Sequence, residues 1–260
     1  MTSDDNPVAG TELSTTTSNR VGLYSALLIA VITIVTFSLA IIATPNSGAF
    51  CTENCFEYPY VNTLSQFPQD YFWMPFAMLL VVVYVILMAS IHTYAAQHKK
   101  IYSQIGLSFA LIAAGILLGD YFIQFSVVPI SLMNQETEGI ALLNQYNPHG
   151  IFIVLEELGY LLMSLSFLFL APVFTDRGRL ESAVRWVFIA GFILTMVFLT
   201  VVTINYGLDR MDRFEVAVIA IDWLVLIING VLLSLVFRRQ LKVNREPYRQ
   251  LQRPRDTGVP

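Results

Sequence analysis

The stretch GIFIVLEELGYLLMSLSFLFLAPVF, residues 150–174, decides what kind of protein this is. At 1.5 Å of rise per residue it makes a helix long enough to cross the ~30 Å hydrocarbon core of a bilayer. It also carries two adjacent carboxylates, Glu156 and Glu157, where lipid disfavours charge. Five further blocks of similar character lie at 21–43, 72–95, 101–129, 186–206 and 214–237. Hydrophobic residues make up 55% of the 260-residue chain, charged residues 13%, and the mean hydropathy is +0.62. A soluble domain is about 45–50% apolar, so a water-soluble globule is excluded. The apolar residues run in blocks and do not alternate, which excludes an outer-membrane barrel.

The expected fold is therefore all-α: a polytopic bundle of six transmembrane helices over residues 21–237. Residues 1–20, polar and rich in Ser and Thr, are expected to be disordered, and residues 238–260 form a basic tail. The first block is too long for the core of a signal peptide and follows a long leader with one basic residue, so it is expected to stay as an uncleaved helix. Pro129 predicts a break in the last turn of the third helix.

Basic residues set the orientation. Arg20, Lys99, Lys100, Arg177, Arg179, Arg185 and the tail residues from Arg238 to Arg255 fall on one side. Arg210 and Arg213 fall on the other, against Glu53, Glu57, Asp70, Glu136, Glu138, Asp209 and Asp212. Both termini are expected in the cytoplasm, with the protein in a cell (plasma or inner) membrane and the lipid bilayer as its first partner. The net charge of -4 averages two faces of opposite sign. The basic tail lacks aromatic interleaving and a nucleic-acid-binding fold, so nucleic acid is not an expected partner.

Two connections on the outer side, 44–71 and 130–149, are longer than a helix link needs and suit small local structure or a docking protein partner. The first holds Cys51 and Cys55, the only cysteines, expected as a local disulfide in an oxidising space.

The chemistry rests on acids inside the spans. Asp120, Glu156, Glu157 and Asp222 all fall within apolar blocks, and no Lys or Arg lies inside a block to pair with them. Counted from the outer helix ends, Asp120, Glu156 and Asp222 lie roughly 9–14 Å deep, in one stratum. Like charges that close must be relieved by protons, water or a cation. Helical spacing adds Gln124 four residues after Asp120 and Tyr160 four after Glu156. Glu215, Asp222 and Asn229 recur every seven residues, and His149 precedes Glu156 by seven. Adjacent Glu156 and Glu157 point ~100° apart, so Glu156 is expected to face the cluster and Glu157 a second helix or the vestibule. Gly115 and Gly119 form a small-residue pair suited to close helix packing.

Three functions fit these residues. The first is an outward-open acidic site binding or transporting a cation, or a cationic or polar small molecule, through Asp120, Gln124, Glu156, Glu157, Tyr160, Asp222 and Asn229. The second is a non-catalytic membrane subunit. The third is a metal-dependent enzyme acting on lipid, with His149, Glu156, Asp120 and Asp222 holding a divalent ion as cofactor. No hydrolase triad or phosphate-binding loop is present to favour other chemistry.

Overall fold

The computed structural model describes residues 7–42, 46–175 and 178–243, with side chains from residue 16 onward. The described residues form helices and no strands. The chain is an all-α membrane protein, and six helices are long and apolar enough to span: α1 (Pro7–Ile42), α2 (Trp73–Tyr94), α3 (Lys100–Ser126), α6 (Ile151–Leu170), α7 (Arg179–Tyr206) and α8 (Arg213–Val243). Two short helices, α4 (Val128–Met133) and α5 (Ile140–Leu143), lie between α3 and α6.

Helix limits depart from the sequence reading where backbone chemistry overrides hydropathy. The helix of the first span begins at Pro7, so 7–20 is helical where disorder was expected. Polar residues seldom nucleate a helix, but they extend one whose nucleus already exists, and proline is accepted in the first turn. Residues 1–6 and 244–260, including most of the basic tail, lie outside the described residues; positions 238–243 continue α8. The break near Pro129 falls earlier, at Val127, which lets Pro129 sit in the first turn of α4. α7 stops at Gly207, whose φ of 57° is costly for most side chains.

Neighbouring helices pack in the ring order α1, α2, α3, α6, α7, α8, with α8 closing onto α1. α6 also touches α8 across the ring, so these two parallel helices carry the interior. The core includes Tyr84, Phe167, Phe174, Phe188, Leu233 and Phe237. α1 and α8 approach most closely at Gly230, where a Cβ would stand 2.8 Å from the Ala26 carbonyl oxygen and 2.9 Å from the Ala30 Cβ. Gly115 and Gly119 do not serve this purpose. A Cβ at either meets nothing within 4 Å, because the pair lies on the outer face of α3.

At the end of the bundle opposite Lys99 and Lys100, the connections fold into a cap. Cys51 and Cys55 are disulfide-bonded within the first connection. The amide of Asn144 donates to the Thr63 hydroxyl at 2.9 Å, joining the second connection to the first. Asp70 gathers Asn46 at 3.1 Å and the Tyr146 hydroxyl at 2.7 Å. Burial, reinforced by the Asp70 carboxylate it donates to, pushes the Tyr146 phenol up, so it remains a donor at any physiological pH. The Ala49 amide donates to Asp212 at 2.8 Å, tying in the third connection.

Candidate functional site

Beneath this cap lies a cavity of about 410 Å³. α1 contributes Phe37, Ala40 and Ile41, α2 Trp73, α6 Phe152, Ile153 and Glu156, and α8 Glu215, Val216, Ile219 and Trp223. The cap adds Asn46, Ser47, Phe50, Asp70, Gln145, Tyr146 and Asp212. Four carboxyl side chains face one aromatic-rich space, and among the described residues lining it none is Lys, Arg or His. Asp70 and Asp212 are engaged in holding the cap. Glu156 and Glu215 are not, and they form the acidic floor.

The floor follows from helix register. Glu156 lies in the second turn of α6 and Glu215 in the first turn of α8, and their carboxyl groups come within hydrogen-bonding reach of each other. Glu156 is 1% exposed, Glu215 9%, and Glu156 Oε1 has no hydrogen-bond partner. A little deeper, the Tyr121 and Tyr160 hydroxyls are 2.9 Å apart and the Trp223 indole donates to the Tyr160 oxygen at 3.1 Å. Tyr121 from α3 also reaches Glu156, so the carboxyl floor continues into a hydroxyl and indole network.

The structure sorts the residues expected at one site into five places. Glu156 lines the cavity, with Tyr160 directly beneath it and Asp120 close enough to interact electrostatically from α3. Asp222 is deeper and separate. It is fully buried, its Oδ1 accepts from Ser164 at 2.6 Å, and Ser164 lies 2.8 Å from the Thr195 hydroxyl. The single stratum proposed for Asp120, Glu156 and Asp222 is therefore not how the acids lie. α8 is set so that Glu215, one heptad before Asp222, stands opposite Glu156, while Asp222 meets a residue two turns further along α6. Helix ends located by hydropathy do not fix that offset.

Glu157 turns away from the cavity and forms an ion pair with Arg210, which reaches it from the α7–α8 connection. That cation lies outside every apolar block, so a search for partners within the spans misses it. His149 is exposed and lines a second cleft of about 520 Å³ with Pro148, Glu157 and Arg210. Gln124 donates to the Tyr71 hydroxyl at 3.2 Å, bracing α3 against the start of α2. Asn229 lies in the other half of the bundle, its amide 3.5 Å from the Val184 carbonyl. Among the described residues no three His, Cys, Asp or Glu side chains are grouped to hold a metal ion. His149, Glu156, Asp120 and Asp222 are thus not assembled as the ligand set that the metal reading required. The cavity-lining residues that sequence reasoning left out are Glu215, present only as part of a heptad stripe, and the aromatic side chains.

The buried network gives a stability prediction. Tyr160→Phe removes the acceptor of the Trp223 indole and the neighbour of the Tyr121 hydroxyl in a dry interior, a loss of about 1–3 kcal/mol. Thermal unfolding in detergent should show a lowered midpoint. Adding Trp223→Phe to that variant should cost less than it does in the unaltered protein, because the shared bond is already gone. Additive losses would mean the two groups do not interact.

Compared with protein-family models, with curated proteins and with solved structures, the chain matches none.

Proposed function

We propose that this multi-pass membrane protein binds a small organic cation in the capped acidic cavity, as a receptor or as the entry site of a carrier. One observation carries the reading: Glu156, almost wholly buried and with an unpartnered carboxyl oxygen, borders an aromatic-lined space that no basic side chain enters among the described residues. A carboxylate desolvated in this way gains most from a ligand that brings positive charge. Phe37, Phe50, Trp73, Tyr146, Phe152 and Trp223 supply the faces that favour a weakly hydrated ammonium over a strongly hydrated metal ion. The cavity volume suits a ligand of about the size of a substituted ammonium. The loop-bearing end is the outward side on the distribution of Lys and Arg, so the ligand enters from outside the cell.

The experiment is equilibrium binding to the purified full-length protein in lipid nanodiscs. Benzyltrimethylammonium should bind saturably and raise the unfolding temperature. Neopentylbenzene, its uncharged isostere, should do neither. Equal binding of the two would reduce the cavity to a greasy hole and end the proposal.

A further inference from the structure

The geometry points to a cation–proton exchange site: the Glu156–Glu215 carboxyl pair holds one proton when the cavity is empty and releases it when a cation binds. The inference rests on the cation-binding reading above and adds what that reading leaves open, the regulation of the site by protons.

Ionised carboxylates only accept hydrogen bonds, so two of them in mutual contact need a proton between them. Glu156 and Glu215 meet in that way, both more than nine-tenths buried, and among the described residues lining the cavity none is a cation that could replace the proton. Among the described residues, the groups facing the pair are neutral donors or further acids. α3 brings Asp120 and Tyr121, α6 itself brings Glu157 and Tyr160, and Asp212 precedes α8. Asp70 and Tyr146 stand across the cavity, and among the described residues α1 and α2 contribute Phe37, Ala40, Ile41 and Trp73 to its wall. Arg210 is engaged by Glu157 on a different face of α6. Glu156 Oε1 is buried and has no hydrogen-bond partner.

The exchange balances. One carboxyl O–H bond breaks, its proton leaves through the mouth of the cavity to buffer, and the two carboxylates enclose one monovalent cation. The net charge of the occupied site equals that of the protonated empty one, so the dry surroundings see no added charge. By linkage, acid must weaken cation binding as much as the cation weakens proton binding. Where the pair is protonated before binding, the apparent Kd rises about tenfold for each pH unit lowered.

The test titrates full-length protein in nanodiscs with benzyltrimethylammonium in weakly buffered solution containing a pH indicator, together with calorimetry in two buffers of different ionisation enthalpy. About one proton should be released per cation bound at neutral pH. Glu215→Gln, whose amide can donate to Glu156 in place of the proton, should bind more weakly and release almost none. Binding to the unaltered protein with less than about 0.2 proton released overturns the exchange while leaving cation binding intact. The same release from Glu215→Gln also overturns it, since the proton would then come from elsewhere. No binding by the unaltered protein removes the cation reading and the exchange together. The measurement on the unaltered protein decides the matter even if the variant fails to fold.

Discussion

Glu156→Gln should weaken benzyltrimethylammonium binding by about 30-fold, the largest functional effect expected from any single change in this protein. The substitution keeps the shape of the floor and removes charge from Glu156, which lines the cavity and has a buried carboxyl oxygen without a partner. Losing one partner of a buried charge pair costs about 2 kcal/mol or more, and every 1.4 kcal/mol is tenfold in affinity. Glu215 remains in the variant, which keeps the loss at the lower end of that range. Glu157→Gln is the control: Glu157 is next in sequence but faces Arg210 and the second cleft, so it should leave the affinity within about twofold. Asp222→Asn is a second control, because an amide oxygen still accepts from Ser164. If Glu157→Gln weakened binding as strongly as Glu156→Gln, the effect would be one of general acidity, and the assignment of the floor would fail.

The largest structural effect is expected at Gly230→Val. The first atom added would come within 2.8 Å of the Ala26 backbone oxygen and 2.9 Å of the Ala30 side chain, and backbone cannot rotate aside as a long side chain would. The remaining option is to part α1 from α8, helices that close the ring and bury Ala26, Ile29 and Leu233. Overpacking of this kind costs about 3 kcal/mol. The variant should give a much lower yield of monodisperse protein and a depressed unfolding midpoint. Gly115→Ala and Gly119→Ala, which meet nothing, should behave like the unaltered protein. A well-folded Gly230→Val would mean that α1 is not packed on α8 as the structure has it.

The two predictions differ in how far each was readable from residues alone. The Glu156 prediction begins in the sequence, where a carboxylate interrupts an apolar block long enough to span. Its partner does not. Asp222 is an equally conspicuous acid in α8, and a count from hydropathy-defined ends puts it at the same depth as Glu156. The offset between α6 and α8 instead pairs Glu156 with Glu215, which a linear reading places at the membrane edge. Arg210 was hidden for the related reason that a connection outside the spans folds back to an acid inside one. The glycines carry the same lesson in reverse. Gly115 and Gly119 have the Gly-x-x-x-Gly spacing and face outward, while Gly230, which has no second glycine four residues away, is where two backbones meet.

Composition and block length were enough to make this an all-α chain with six spans, because a bilayer leaves a long apolar segment no other way to satisfy its backbone. They were enough, too, to single out the acids, since charge in such a segment is costly wherever its neighbours lie. Which acids touch, which one finds an arginine and which face aromatic rings across open space depend on the rotation and sliding of each helix against the next. Those are settled by side-chain interlock between segments far apart in the chain, and no property of one segment contains them.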